Sequence, residues 1–442
     1  MRTILTAKRF VLDSLAMTRP PNGAPPHYQR NFAAFLVDYV FFSIALAFAS
    51  PSSMLPAFVR QFTDSAPVIG LVSTVFNGFW LLPQVIVAGI VGRSARKKPF
   101  LLLGATGRVA FWLIALGLWL GLGQHPNRML LLFFVCLAVF AVTDTLASVA
   151  WFDMMARAIP LKRRGRLMGI AQVIGGLGGL GVGVAITLIL NSPRFPLPNN
   201  YALIFTLAGL AFIPTVIASA LLREVPAGDT ESSGKRWGRN GWLSPLREDP
   251  AFRRLMVSQV LSGMISLATP FYVIHATDEL NLSEAVVGSF VGAQQVAGVA
   301  SGVLLGLLSA RRGPAPTIRV GSAIAIVGPL FALVAHIAGD GVLSHAYPLV
   351  YVTLGVYWSS NMLGFYNYMM EIAPDDMRPS YIGLGNTIMG ILTLAPTVGG
   401  WVLEATSYTV LFGITAGLVF LGCVAALRLG PPRQSTLGAH RP

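Results

Sequence analysis

Long apolar runs separated by short polar stretches dominate the chain. Each run is close to the length of about 20 residues that a helix needs to cross the hydrocarbon core of a bilayer. The pattern therefore predicts twelve transmembrane α-helices. They span Asn31–Ser50, Pro67–Val91, Phe100–Leu122, Met129–Ala156, Leu167–Leu190, Tyr201–Leu222, Leu255–His275, Ala285–Leu308, Val320–Ala338, Leu349–Met370, Tyr381–Leu403 and Val410–Leu427.

The composition supports a membrane protein. Of the 442 residues, 54% are hydrophobic and 11% are charged, whereas a soluble domain has roughly 25% charged residues. The two cysteines, Cys136 and Cys423, lie within apolar runs and provide neither a disulfide framework nor a cysteine-based metal site. The sequence contains no zinc-protease helix and no nucleophile-elbow motif, so we expect neither an enzyme nor a cofactor.

A glycine-rich segment in the fifth predicted helix, Gly176–Gly181, has the form of a dinucleotide-binding motif. That motif needs a preceding strand and a soluble βαβ unit around it, which this helix does not offer. Gly175, Gly179 and Gly183 recur at four-residue spacing. The spacing favours a smooth face for close contact with another helix.

Basic residues concentrate on one side of the predicted membrane. With the N-terminus in the cytoplasm, 28 of the 32 Lys and Arg residues fall in cytoplasmic segments. Arg60, Arg128 and Arg194 lie outside, and Arg108 lies within a helix. Because this distribution follows the positive-inside rule, the net charge of +14 reflects topology and not nucleic-acid binding. We expect a multi-pass protein of the cytoplasmic membrane with both termini in the cytoplasm.

An internal repeat divides the chain into two halves. Three separate loops recur at an offset of 214 or 215 residues. The matches are Pro56, Thr63 and Asp64 with Pro270, Thr277 and Asp278; Ser94–Pro99 with Ser309–Pro314; and Pro160, Arg164 and Gly169 with Pro374, Arg378 and Gly383. The repeat predicts an N-terminal tail (1–30), a six-helix bundle (31–223), a cytoplasmic linker (224–250), a second six-helix bundle (251–429) and a C-terminal tail (430–442).

The loop Gly89–Lys98 resembles the signature loop of the major facilitator superfamily, as does its repeat Gly306–Gly313. The stretch Pro160–Gly169 is similar to that family's loop between helices four and five. An acidic residue is usual in the signature loop at the place that Arg93 and Ala310 occupy here. The resemblance implies an all-α membrane protein of two pseudo-symmetric six-helix bundles that rock around a central cavity, with helices 1, 4, 7 and 10 lining it.

The same resemblance implies that the basic residues of the two signature loops belong to the gating region. These residues are Arg93, Arg96, Lys97, Lys98, Arg311 and Arg312.

Four charged residues lie within apolar spans, namely Asp38, Arg108, Asp144 and Asp153. A charge at the centre of a membrane helix costs roughly 2.5–3.5 kcal/mol on insertion scales, so each should face protein or water. We expect Asp38 to be the proton-coupling residue, with Asp144 as the second candidate. Arg108 is at a depth that allows an ion pair with Asp153 or with Asp38, and the alternative to coupling is a static buried pair of this kind.

The tenth predicted helix carries aromatic and neutral hydrogen-bonding groups where the second half has no full charge before Glu371. Such groups suit a sugar-like or amphipathic organic solute. We expect Trp358, Asn361 and Tyr366 to face the substrate cavity, together with Tyr357 and Asn367. Weaker candidates on other helices, which interhelical hydrogen bonding explains equally well, are Asn77, Gln84, Gln172, Gln294 and Gln295.

Taken together, these features predict a secondary active transporter that moves a small organic solute by alternating access with proton coupling. One alternative is an uncoupled facilitator, and another is a transporter-like fold that serves as a membrane assembly factor or sensor. The expected partners are the solute and the lipid bilayer, with no nucleic acid, and we expect a monomer.

Overall fold

The computed structural model describes residues 25–225, 243–339, 341–374 and 377–430. Most of the predicted linker (224–250) and of the two predicted tails (1–30 and 430–442) lies outside these ranges. Within them, eleven helices are long and apolar enough to cross a membrane, and a twelfth is built from shorter pieces. The helices are α1 (Tyr28–Phe48), α2 (Ala66–Arg93), α3 (Lys98–Trp119), α4 (Pro126–Ala158), α5 (Leu161–Leu190), α6 (Asn199–Leu221), α7 (Pro250–Glu279), α8 (Val286–Arg312), α9 (Pro314–Ala338), α10 (348–372), α11 (Ser380–Ala405) and α12 (Tyr408–Leu427).

The prediction of an all-α membrane protein with twelve spanning helices is confirmed. Several helices begin earlier than their apolar runs: α5 starts at Leu161 instead of Leu167, and α9 at Pro314 instead of Val320. Hydropathy marks only the part of a helix that lies in hydrocarbon. These helices continue for one or two more turns with basic residues such as Arg163 and Arg319, which are favourable in the headgroup region.

Several helices are interrupted, and three of these interruptions concern the site described below. After α1 the chain turns at 49–53 and resumes as a short helix, Met54–Arg60. In α7 a 3₁₀ turn, Met264–Leu267, occupies the position that the 214-residue repeat assigns to the break after α1. In α10 a π-helical turn, Asn361–Tyr366, separates two α-helical pieces. Non-helical backbone at this depth is tolerated where it is buried in protein or lines a cavity.

The two six-helix halves pack against each other along α5 with α8 and along α2 with α11. Glycines make the first contact very close. A Cβ at Gly183 would meet the backbone of Gly288 and Gly292, and one at Gly179 would meet the side chain of Gln295. The predicted packing role of the glycines in α5 is therefore confirmed, whereas Gly175 faces Ser43 of α1.

One end of the bundle carries the basic loops Arg93–Lys98, Arg163–Arg166 and Arg311–Arg312, and is called the basic end below. There Lys97 is buried, with 2% of its side chain exposed. Its Nζ donates to the last carbonyls of α2, at 2.5 Å from Val91 and 2.6 Å from Ser94, and lies 3.7 Å from the Asp153 carboxylate. Lys97 thus caps the C-terminus of α2, where a cation is also favoured by the helix dipole.

A second set of contacts joins α3 to α6 at the same end. The carboxylate of Glu224 accepts hydrogen bonds from the backbone N–H groups of Lys97 and Lys98, at the N-terminus of α3. In return, the Nζ of Lys98 donates to the terminal carbonyls of α6, at 2.7 Å from Ala220 and 2.9 Å from Leu222. Each charge lies at the helix end whose dipole it complements.

The repeat does not reproduce this arrangement in the second half. Arg312, which corresponds to Lys97, is exposed, and Asn367 stands at the position of Asp153. The Nδ2 of Asn367 donates to the carbonyl of Leu363 within its own helix, at 3.0 Å. Of the six loop cations, Arg93, Arg96, Arg311 and Arg312 are exposed, so only Lys97 and Lys98 are built into the packed structure.

Replacing Lys97 with methionine should destabilise the N-terminal half, because the variant keeps a long apolar stem but loses the hydrogen bonds to the end of α2. We expect the free energy of unfolding to fall by roughly 1.5–3 kcal/mol, the range for a hydrogen bond to a charged group. Thermal unfolding of the purified protein in detergent measures the effect. Arg96→Met is the matched control because Arg96 is exposed one residue away; equal melting temperatures for the two variants would contradict the capping role.

A valine at Gly183 should disturb the contact between the halves, since its side chain would have to displace the backbone of α8. Overpacking of this kind costs about 1–3 kcal/mol, so we expect a clear loss of thermal stability. Gly181→Val provides the control on the same helix, because a Cβ there would meet no atom within 4 Å. If both valine variants unfolded at the same temperature, α5 and α8 would not be in backbone contact.

Candidate functional site

A cavity of about 350 Å³ lies between the two halves. Both halves contribute to it, with α1, α2 and the break after α1 on one side and α7, α8, α10 and α11 on the other. In the part of the chain that the structure describes, its lining carries polar but uncharged side chains among apolar ones. The polar and aromatic members are Ser50, Ser52, Ser73, Asn77, Ser266, Thr269, Gln294, Gln295 and Trp358.

The interruptions of α1 and α7 supply much of this polarity. Pro51 removes a backbone donor in the break after α1. Ser50 and Ser52 line the cavity, and the hydroxyl of Ser50 lies 3.0 Å from those of Ser52 and Ser53. The Ser52 hydroxyl donates to the Oε1 of Gln294 at 2.8 Å, so the break is tied to α8 of the other half. On α7 the corresponding segment places Ser266 and Thr269 in the lining.

The predicted cavity residues of α10 lie in different surroundings. Trp358 lines the cavity with 48% of its surface exposed, and its ring packs on that of Tyr357 at a centroid distance of 5.6 Å. Asn361 accepts a hydrogen bond from the Nε2 of Gln259 at 3.1 Å, which ties it to α7. Tyr366 is 39% exposed at the end of the π-helical turn. Tyr357 is buried, and Asn367 bonds within its own helix as described above.

A buried cluster of charges lies within the N-terminal half. Asp38 of α1, Arg108 of α3 and Asp144 of α4 are only 4%, 5% and 7% exposed. The Nη1 of Arg108 lies 3.7 Å from the Oδ1 of Asp38. Asp144 interacts electrostatically with both Arg108 and Asp38 and accepts a hydrogen bond from the Nε1 of Trp80 at 3.1 Å. The cluster therefore contains two carboxylates and one guanidinium.

Helix α6 completes the surroundings of Arg108. The Nη1 of Arg108 donates to the hydroxyl of Thr215 on α6, and the rings of Phe42 and Phe212 lie 5.6 and 5.8 Å from the Cζ of Arg108. Ser219, one turn further along α6, donates to the Oδ1 of Asp38 at 3.2 Å. Paired charges, hydrogen bonds and aromatic faces offset the cost of burying the guanidinium.

The expected pairing of Arg108 with Asp153 does not occur, whereas the pairing with Asp38 does. Asp153 lies close to the basic end of α4 and pairs with Arg157 one turn later, at 2.5 Å, as well as with Lys97. The reason is its position. Nine residues separate Asp153 from Asp144 along α4, which at 1.5 Å per residue is about 13 Å, beyond the reach of Arg108.

A polar gate closes the end opposite the basic loops. We define it by Arg60, Gln61, Asp278 and Glu284. The Nε of Arg60 donates to Asp278 at 2.8 Å, and the Nε2 of Gln61 donates to Glu284 at 3.1 Å, so both contacts join the two halves. The hydroxyl of Tyr201 also donates to the Oε2 of Glu284, at 3.4 Å. Burial raises the pKa of the Glu284 carboxyl, although the hydrogen bonds to it act in the opposite direction.

Two parts of this site were missed from the sequence. The cluster Ser50-Pro51-Ser52-Ser53 ends the first apolar run, and its repeat position falls at the break in α7. That coincidence was a usable signal. The sequence signal for the polar gate was weaker. It consisted of Asp64 and Asp278, which are equivalent in the repeat and which both pair with Arg60 in the structure.

Comparison with solved structures shows the same fold. The chain is similar to a bacterial homologue of the iron transporter ferroportin in its inward-facing state, with a TM-score of 0.67, 15% identity and coverage of 90% of this chain and 98% of that one. For the outward-facing state of such a homologue the TM-score is 0.58, with 15% identity and coverage of 91% and 98%. A D-xylose–proton symporter gives 0.65, with 15% identity and coverage of 91% and 98%.

Sequence comparison gives distant relatives and a family. An uncharacterized protein of Mycobacterium tuberculosis is 24% identical over 390 residues, which cover 82% of this chain and 73% of the relative. Residues 38–393 match the sequence pattern of the Major Facilitator Superfamily, which is most of the chain. With twelve helices in two halves around a cavity, the chain belongs to the Major Facilitator Superfamily and is a membrane transporter of that type.

Proposed function

We propose that this transporter carries a small, uncharged, hydroxyl-rich organic solute across the cytoplasmic membrane and that proton movement through Asp38 and Asp144 drives it. The basic end faces the cytoplasm in this proposal, because 28 of the 32 basic residues were assigned to that side. The protein acts as a monomer.

The uncharged cavity supports the choice of solute. Its hydroxyl and amide groups can donate and accept hydrogen bonds, and Trp358 offers an exposed aromatic face. A sugar or nucleoside has hydroxyls that can bond to the polar side chains and an apolar face that can stack on Trp358. Divalent cations prefer carboxylate, imidazole or thiolate ligands. Those groups are missing from the described lining of the cavity, which favours a neutral solute over a metal ion.

The charge cluster supports proton coupling, and it is the single observation that carries that part of the proposal. Arg108 lies 3.7 Å from the carboxylate of Asp38 and interacts electrostatically with that of Asp144, so the fully ionised cluster has a net charge of −1 inside a helix bundle. Uptake of one proton makes it neutral. Since an uncompensated charge is costly at this depth, the cluster favours binding one proton whenever water reaches it.

Substrate and proton occupy separate places along α1. Twelve residues separate Asp38 from Ser50, about 18 Å at the helical rise of 1.5 Å per residue. Asp38 therefore acts on the cavity through a shift of α1 and its break, and not by touching the solute. Such a shift is the kind of helix movement that links two states in alternating access.

Contacts at the polar gate and the exposure of Trp358 support a conformation that is closed outside and open to the cytoplasm. The higher similarity to the inward-facing structure than to the outward-facing one is consistent with this state. An uncoupled facilitator and an assembly factor or sensor are the remaining alternatives. In the former the charge cluster is only structural, and in the latter no solute crosses the membrane.

Trp358→Ala should weaken solute binding about ten-fold through lost stacking and apolar contact. A panel of pentoses, hexoses and nucleosides is first screened for a rise in melting temperature, and the dissociation constant of the stabilising solute is then measured by titration. Trp401→Ala is the matched control, since Trp401 is 60% exposed on α11 and does not line the cavity. Stabilisation by a divalent cation or an organic anion, with no response to any neutral solute, would overturn this substrate class.

Asp38→Asn should abolish accumulation of the solute driven by a pH gradient and leave solute exchange intact. The variant should fold, because Asp144 remains to compensate Arg108 one to one. Flux into proteoliposomes with and without a pH gradient measures both activities. Asp153→Asn, which changes a carboxylate outside the cluster, should still accumulate the solute.

Two results would contradict the coupling role of Asp38. Normal uphill transport by Asp38→Asn would leave the residue without a function in coupling. A variant that folds only when Arg108 is also neutralised would instead assign the pair a structural role. A cycle of Asp38→Asn, Arg108→Gln and the double variant separates these results.

A further inference from the structure

A hydrogen-bonded pair of histidines lies near the polar gate, in the second half. His275 of α7 is completely buried. Its Nδ1 lies 2.9 Å from the hydroxyl of Tyr347, and its Nε2 lies 3.1 Å from the Nδ1 of His336 on α9. The rings of Tyr408 and Phe412 enclose it at centroid distances of 4.9 and 5.1 Å. Both ring nitrogens of His275 are therefore used within the protein.

His336 is only half-buried, and it lines a second cavity of about 480 Å³ at the end opposite the basic loops. Because its Nδ1 bonds to His275, its Nε2 is the nitrogen that remains available to bind a proton. When His336 is charged, its Nδ1–H donates to His275 and the Nδ1–H of His275 donates to Tyr347. All hydrogen bonds of the pair persist in this form, and the open cavity beside His336 favours a charge there over one on the completely buried His275.

The second cavity is rich in carboxylates. Asp64, Asp278, Glu279 and Glu404 line it together with a single cation, Arg60. Tyr408 is the remaining titratable group at its wall, and Glu284 lies at the neighbouring contact of the polar gate. The four carboxylates outnumber the guanidinium, and the negative potential raises the local concentration of protons.

We propose that His336, held by His275 and Tyr347, is a proton-binding site on the side opposite the basic end, and that its protonation loosens the polar gate. Asp278 lies in the same cavity as His336 and forms the contact with Arg60 between the halves. A charged imidazole offers Asp278 a second cationic partner and repels Arg60. Protonation from that side thereby shifts the equilibrium toward a conformation in which the gate is open.

This site is separate from the coupling role proposed for Asp38, and it holds whether or not the carrier is proton-coupled. The His336 site responds to pH on one side of the membrane and adjusts the gate. The Asp38 cluster, in the other half, concerns energy supply. The two proposals can therefore fail independently.

Histidine nitrogen NMR of the full chain in nanodiscs tests the proton site. The chain has six histidines, and the signal lost in His336→Gln identifies this one. We expect that signal to change from the neutral to the charged form as the pH is lowered. Glu404→Gln should move the midpoint to lower pH by roughly 0.3 unit or more, since it removes a nearby carboxylate. Glu371→Gln, at the basic end of α10, should leave the midpoint unchanged.

A signal of His336 that stays neutral down to pH 5, or a midpoint that Glu404→Gln and Glu371→Gln affect equally, would overturn the site. If the signal of neutral His275 disappeared at the same pH as the signal of neutral His336, the charge would not be confined to His336. That result also contradicts the assignment.

Distance measurements by electron paramagnetic resonance test the gate. Spin labels are attached to cysteines at Arg194 and Thr409, which are exposed on the two halves at this end, with Cys136 and Cys423 changed to alanine. Between pH 8 and pH 5 the population with the longer distance should rise at least two-fold in the otherwise unchanged protein and stay constant in His336→Gln. Glu371→Gln, at the basic end, should keep the response. An equal response in His336→Gln, or an equal loss of the response in Glu371→Gln, would overturn the gating role.

Discussion

A guanidinium inside a helix bundle is costly unless its charge is compensated, and Arg108 shows how many elements this requirement engages. The nearest carboxylate comes from α1, a second from α4, a hydroxyl from α6, and the aromatic faces from α1 and α6. Removing a partner from such a group is costly because the remaining charge stays buried. The relative positions of α1, α3, α4 and α6 are thereby constrained around one side chain, which lies in a 3₁₀ turn of α3.

That constraint places α1 at the centre of the transport machinery. One part of this helix contacts the charge cluster, and its far end breaks at Pro51 to line the cavity and to bond across to Gln294. Beyond the break, the short helix Met54–Arg60 ends at the polar gate. A change of charge in the cluster is therefore connected by one continuous segment to the cavity and to the contact between the halves.

The arrangement of helices could be read from hydropathy because the bilayer leaves few options for an apolar run of this length. The fine structure of the site could not. An apolar run does not reveal where a helix breaks, so the 3₁₀ turn within α7 was absorbed into a continuous prediction, although Pro51 and its serines marked the equivalent break after α1. Depth along a helix placed Asp38 and Arg108 at one level, but it could not tell which faces of α1, α3 and α4 meet. Asp153 was assigned as a possible partner of Arg108 for that reason. Lys97 was grouped with the other cations of the gating region, because sequence alone does not show that α2 ends beside it. The substrate roles of Trp358, Asn361 and Tyr366 all remain predictions; of these three residues, Trp358 lines the cavity between the halves.

The glycine contacts between the halves bear on how fast such a protein can move. Where α5 meets α8 at Gly183 and Gly288, and where α2 meets α11 at Gly70 and Gly400, backbone faces backbone with no side chain in between. Interlocked side chains would have to leave their rotamers one by one before the halves could turn. A surface of bare backbone has no interlocked side chains, which favours rotation of one half against the other, and the polar contacts of the gate then help to hold the two halves together at that end.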